Sequence, residues 1–170
     1  AGTDGNTAGE PTDSGSVASP LDTGTSRLLM SVPTSAGKTL LAQLIICAHV
    51  AQDAGDVCYV TPLRSLGREM RQSLRSRLAY LGRRLGADLP DGFGTLDVDD
   101  QDADSDERPR VEVMTPERLM NALRQTPDAV LSRFSLFIID EAHMIAQRGG
   151  RGLLLEGLLT VLDASDARLV

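Results

Sequence analysis

Residues 27–52 read RLLMSVPTSAGKTLLAQLIICAHVAQ, and no other stretch of the chain restricts its fold as strongly. A short apolar run (Leu28, Leu29, Met30, Val32) meets a Pro/Ser/Gly turn, then Gly37-Lys38-Thr39, then a long segment rich in Leu, Ile and Ala. Strand, glycine-containing loop, Gly-Lys-Thr and helix is the order that a phosphate cradle requires. Successive backbone N–H groups of such a loop converge on an anion, and the helix N-terminus adds partial positive charge. The loop residues are Pro33, Thr34, Ser35, Ala36 and Gly37. Lys38 is then expected to reach the β- and γ-phosphates, and the Thr39 hydroxyl to ligate Mg²⁺. Lys38 is also the only lysine among 17 Lys and Arg residues, so lysine is avoided everywhere except where the cradle needs an ammonium. The G-x-x-x-x-G-K-T pattern has glycine at position 32; this chain has Val32.

Beyond Gln52 the chain alternates between strand and helix patterns. Ala54-Gly55-Asp56 marks a turn and Val57 to Val60 a short strand of the buried type. Thr61-Pro62 is expected to open a second helix, with Thr61 as N-cap and Pro62 at the first helical position. That helix carries Leu63, Leu66, Met70, Leu74, Leu78, Leu81 and Leu85 at spacings of three and four. Beside them runs a basic stripe of Arg64, Arg68, Arg71 and Arg75, readable either as a solvated face or as a phosphate-contacting one. Arg110 to Met114 reads as a strand, and Thr115-Pro116-Glu117-Arg118 repeats the Thr-Pro helix opening, with the helix running to about Gln125. Ser135 to Ile139 is the most hydrophobic strand and ends in Asp140-Glu141-Ala142-His143. A Gly/Arg-rich turn from Gln147 to Gly152 leads to a helix over Leu153–Leu162, and residues 167–170 start another strand. Such alternation predicts an α/β fold of right-handed βαβ units around a parallel sheet. Aromatic residues make up only 3% of the chain and Trp is missing, so the core must be built from Leu, Val, Ile and Ala.

Two acidic stretches flank or interrupt this pattern. Residues 1–26, rich in Gly, Ser, Thr, Asp and Pro, carry −4 and are expected to be a disordered low-complexity tail or linker. Residues 88–109 are expected to form an acidic loop, with Leu96 and Val98 as a brief strand; residues 91–109 alone carry −7. The total is also −7, so the remainder of the chain is +4, a mildly basic body compatible with a nucleic-acid partner. No apolar run reaches membrane-spanning length, so no membrane partner is expected. Cys47 and Cys58 do not make a disulfide framework and read as buried free thiols, which fits a reducing cytoplasm.

Ligands of parallel sheets bind at the carboxyl ends of strands, and both Gly37-Lys38-Thr39 and Asp140-Glu141 fall just past strand ends, on one rim. Asp140 is placed to hold the metal and Glu141 to polarise an attacking water as general base. The bland alternative is two acids that start a surface turn.

Four ordered segments carry a resemblance: Pro33 to Thr39, Thr61-Pro62-Leu63-Arg64-Ser65-Leu66, Thr115-Pro116-Glu117-Arg118-Leu119 and Asp140-Glu141-Ala142-His143-Met144-Ile145. Together, with Arg151-Gly152 and Leu155-Glu156 behind them, they resemble the superfamily-two DEAD/DEAH-box helicases, in the superkiller-like and archaeal repair-helicase branch. The resemblance implies that residues 27–170 form the first RecA-like lobe, a P-loop NTPase unit, of an ATP-driven nucleic-acid translocase using ATP and Mg²⁺. It implies a catalytic set of Lys38, Asp140, Glu141 and His143. Thr61, Pro62, Arg64, Thr115, Pro116 and Arg118 are implied to hold the backbone of DNA or RNA; a capped helix start that presents N–H groups to phosphate agrees, although simple capping explains the Thr-Pro pairs equally. The chain stops before the Ser-Ala-Thr motif expected next and does not begin with Met, so a fragment separated from its second RecA-like lobe is expected. Two rival readings share the phosphate loop: another P-loop enzyme such as a kinase or transporter ATPase, and a degenerate nucleotide-binding lobe used as an interaction module.

Overall fold

Short runs of β-branched and aromatic residues form the strands, and the longer amphipathic segments between them form the helices. The computed structural model describes residues 27–31, 37–85, 89–91, 93–94, 96, 109–146 and 149–170. The tail expected at 1–26, loop residues Pro33 to Ala36 and most of the acidic loop lie outside that set. In chain order the elements are α1 (Lys38–Ala51), β1 (Asp56–Val60), α2 (Arg64–Leu85), β2 (Val111–Met114), α3 (Pro116–Gln125), α4 (Pro127–Arg133), β3 (Phe134–Ile139), a 3₁₀ turn (Ala142–Ala146), α5 (Gly150–Asp163) and β4 (Arg168–Leu169). The strands lie in the order β2-β1-β3-β4, and every pairing is parallel.

Both faces of this sheet are covered, which is what all-parallel sheets demand. Val57, Tyr59, Val111, Val113, Leu136 and Ile138 meet Ile46, Val50, Leu74 and Leu78 of α1 and α2 on one face. Cys58, Val60, Met114, Phe137 and Ile139 meet Leu119, Leu123, Leu158 and Leu162 of α3 and α5 on the other. The period-2 alternation of strand side chains sorts neighbours into these two layers. It breaks at the start of β3, where pairing with β1 shifts register between Asp56 and Val57. Phe134 thereby joins Phe137 in the second layer, their rings edge-on with centroids 5.8 Å apart. Cys47 and Cys58 are buried and not joined in a disulfide, as expected. Among the described residues no helix is long and apolar enough to cross a membrane.

Several boundaries differ from expectation. Among the described residues, the apolar run before the phosphate loop pairs through a bridge from Arg27 to Leu169 and the bond from Leu28 N–H to the Leu169 carbonyl (2.8 Å). Helix α2 begins at Arg64, and Thr61 is not its N-cap. The Thr61 N–H instead donates to the Met114 carbonyl at 2.9 Å, continuing the β1–β2 pairing, and its buried hydroxyl has no partner. Thr115 does cap α3, accepting from the Arg118 N–H with Pro116 in the first turn. In α2 only Gly67, Met70, Leu74 and Leu78 are buried; Leu63 and Leu85, at the ends of the stripe, are exposed. Arg71 does not belong to a free basic face, because its guanidinium donates to the Val113 carbonyl at 2.9 Å. Helix α4 was not legible: it has seven residues with Val130 alone buried, so it leaves no stripe, although Thr126-Pro127 is a third Thr-Pro helix start. Leu96 makes a single bridge to Val111, a remnant of the expected brief strand.

The amino ends of the strands are tied by ion pairs. Arg133 reaches Glu112 at 2.7 Å and Asp56 at 3.5 Å, and Arg110 contacts Asp53 at 2.8 Å and Asp56 at 3.0 Å. At the other end of the chain Arg27 donates to the Ala167, Asp163 and Ser165 carbonyls at 2.7–2.8 Å. A cation at the carboxyl end of α5 opposes the negative end of its dipole, so Arg27 fastens the lead-in of the phosphate loop to α5.

His49 is buried on α1 with Nε2 2.8 Å from the Ser135 hydroxyl. Burial first, then the nearby Arg168 and Arg110, push its pKa down to about 4. Between about 6.5 and about 4 the unfolded imidazole binds a proton that the folded one refuses, so stability is present above about 6.5 and lost as pH falls. We expect a loss of up to about 3 kcal/mol over that window. Urea midpoints at pH 7 and 4.5 for wild type and His49→Asn check this; an equal pH dependence in both would exclude His49 as the source.

Candidate nucleotide site at the carboxyl rim of the sheet

Gly37 sits at the entrance of α1 with φ 81°, a left-handed conformation that glycine adopts without strain. No side chain caps α1, and its first turn holds no acid, so its leading N–H groups remain open to an anion. Lys38 and Thr39 occupy that first turn, and Thr39 is exposed. Lys38 Nζ lies 3.9 Å from Glu141 Oε1, both side chains about one-third exposed. Residues separated by most of the chain thus meet because α1 and β3 deliver them to the same rim.

Asp140 leaves β3 with its N–H bonded to the Val60 carbonyl at 2.8 Å. Its Oδ2 accepts from the Tyr59 hydroxyl at 2.7 Å and its Oδ1 from the Glu141 N–H at 2.9 Å. Glu141 itself has φ 55°, uncommon for a non-glycine residue and typical of positions that a surrounding structure holds in place. Its second carboxylate oxygen is 3.0 Å from Nδ1 of the exposed His143. Glu141 is therefore flanked by Lys38 on one side and His143 on the other.

Pro62, Pro116, Asp140, Glu141, Met144 and Arg151 line one cleft beside this pair. Two of the sequence-predicted nucleic-acid residues thus border the predicted catalytic acids. The others do not converge on the cleft. Thr115 spends its hydroxyl on the α3 cap, and Arg118 pairs with Glu112 at 3.0 Å. Arg64 is exposed at the start of α2, and Thr61 is buried. Tyr59 was missed: its pattern is that of a core strand residue, and only the need of a buried phenol for a hydrogen-bond partner hinted at more. Burial, and then the charge of Asp140, push its hydroxyl pKa far up, so it is a donor at any physiological pH.

The donor set suits Mg²⁺ bound together with a nucleotide. Mg²⁺ is usually held by one or two carboxylates, substrate phosphates and water rather than by an all-protein cage. Among the described residues no cluster of three acidic, His or Cys side chains is poised for a metal, while Asp140 and Thr39 stand on the rim as single oxygen donors.

The sequence model of the DEAD/DEAH box helicases matches residues 16–170. The chain belongs to that family. The match begins inside the segment read as a tail and runs through all the motifs described above. Among curated relatives, the Hachiman protein HamB of Bacillus cereus is 34% identical over 146 residues, covering 84% of this chain and 13% of that protein. The ATP-dependent DNA helicase Hel308 of Thermoplasma volcanium is 33% identical over 133 residues, covering 78% of this chain and 18% of its own. Among solved structures, the Mycobacterium smegmatis helicase Lhr bound to ssDNA and AMP-PNP aligns with a TM-score of 0.58 at 29% identity, over 78% of this chain and 19% of Lhr. The chain thus spans less than a fifth of the length of each of these relatives.

Proposed function

We propose that this chain is the ATP-binding lobe of an ATP-dependent helicase or translocase acting on DNA or RNA, working in the cytoplasm with a second RecA-like lobe. The observation that carries the reading is the meeting of Lys38 and Glu141, 3.9 Å apart at the mouth of a helix whose N–H groups are open. Pro33 to Thr39 cradle the triphosphate, with Lys38 on its outer phosphates. Thr39 and Asp140 would hold Mg²⁺, which neutralises charge on the phosphate oxygens when bound. Glu141 takes the proton of the attacking water, and His143 holds the far oxygen of that carboxylate in position. Pro62 and Pro116 line the cleft next to these acids, so a strand passing over Pro62, Arg64, Thr115, Pro116 and Arg118 runs within reach of the hydrolytic centre. That Lhr carries both a single strand and an ATP analogue in its structure supports both ligands for this chain.

Nucleic-acid binding is tested on α2. Arg64 and Arg68 are exposed along α2. Reversing both to Glu is expected to weaken binding of single strands about equally across sequences and to flatten the dependence of log K on log salt by about two charges. Anisotropy titrations with labelled DNA and RNA at several salt concentrations make the measurement. Wild-type affinity and salt slope in the double variant would mean that α2 presents only a solvated face.

A further inference from the structure

Resting on the nucleotide reading above, we infer that Tyr59 is a positioning residue that locks the Asp140 carboxylate into the orientation in which it serves Mg²⁺ with bound nucleotide. Tyr59 lies in β1, the strand between β2 and β3, in register with Val113 on one side and Ile138 on the other. Its ring is buried in the layer under α1 and α2, 2% exposed, and its hydroxyl reaches across to Asp140 Oδ2 at 2.7 Å. The same strand holds the backbone of Asp140, through the Val60 carbonyl. The other carboxylate oxygen accepts the Glu141 N–H at 2.9 Å, and Glu141 is in the left-handed conformation. Each oxygen of Asp140 is thereby held by one donor, and the same carboxylate anchors the backbone of the proposed general base. Without the phenol, Oδ2 has no side-chain donor among the described residues, and only the Glu141 N–H on Oδ1 restrains the carboxylate. Groups that orient a metal-serving ligand from behind typically cost 10- to 100-fold in metal affinity when lost.

A tyrosine retained only for packing would need some acceptor for its hydroxyl but would not affect the metal. Tyr59→Phe separates the two roles, because it keeps the ring and removes one O–H. Binding of a fluorescent methylanthraniloyl-ATP is measured in EDTA and across a Mg²⁺ series, with thermal unfolding followed in parallel. The expected result is nucleotide affinity in EDTA within about twofold of wild type, and a Mg²⁺ concentration for half-maximal tightening raised about 10-fold or more. In an Asp140→Asn background the same change should add nothing, since the two side chains act as one unit. A wild-type Mg²⁺ midpoint in Tyr59→Phe, or an equal shift with and without Asp140, overturns the inference while leaving the nucleotide site intact. A wild-type chain whose affinity does not respond to Mg²⁺ overturns the nucleotide reading and this inference with it.

Discussion

Lys38→Ala is expected to weaken ATP binding by about 10- to 100-fold, and Glu141→Gln to leave binding near wild type while lowering turnover by about 10²–10⁴-fold. The first figure follows from losing charge-assisted contacts to phosphate, worth about 1.5–3 kcal/mol. Before nucleotide arrives, Lys38 has Glu141 at 3.9 Å, a partly exposed pair of the kind worth only about 0–1 kcal/mol. The triphosphate, with more charge and open N–H groups behind it, displaces Glu141 at little cost. Glu141→Gln removes that internal competitor, so affinity should hold or rise slightly while the base is lost. The two variants therefore separate ground-state binding from chemistry. Fluorescent-nucleotide titration and steady-state phosphate release make the comparison. Unchanged affinity in Lys38→Ala would end the phosphate-loop assignment, and full turnover in Glu141→Gln would remove Glu141 as the base.

The 170 residues assayed by themselves are expected to hydrolyse ATP about 10³–10⁵-fold more slowly than a complete two-lobed enzyme. Phosphoryl transfer needs positive charge on the γ-phosphate from the side facing away from the loop, and that is the size of effect an arginine finger supplies. Under the proposed function that arginine belongs to the second lobe. Among the described residues, Arg151 lines the cleft together with Asp140 and Glu141, on the near side of the site. Arg64, Arg68 and Arg75 are exposed along α2, whose buried side faces the sheet through Met70, Leu74 and Leu78. Steady-state assays of the 170 residues, with and without single-stranded DNA or RNA, give the answer. Fast turnover, stimulated by nucleic acid and abolished by Glu141→Gln, would mean that the lobe completes its own site, alone or by self-association.

Sequence determined the kind of protein this is. The α/β alternation, the helix that follows Gly37, the Asp-Glu pair after the most hydrophobic strand and the ends of α3 were all legible, because each rests on local physics. A proline in the first turn, a threonine that caps, and a period of two or of 3.6 act over a few residues, and they read the same before and after folding. Thr61 shows the limit. Its Thr-Pro pair is locally as good a helix start as Thr115-Pro116, yet Thr61 stays in the sheet because the Met114 carbonyl on the neighbouring strand claims its N–H. Arg71 and Arg118 likewise read as open cations and are engaged instead by the Val113 carbonyl and by Glu112. Only the tertiary structure decided which strands are neighbours. By setting β1 beside β3 it brought the Tyr59 hydroxyl to Asp140, and by slotting β4 between β3 and the lead-in at Arg27 it fixed where Lys38 meets Glu141. Such contacts span about 80 to 100 positions along the chain and have no periodicity to announce them; they exist because a parallel sheet with both faces covered assembles one rim from distant strand ends.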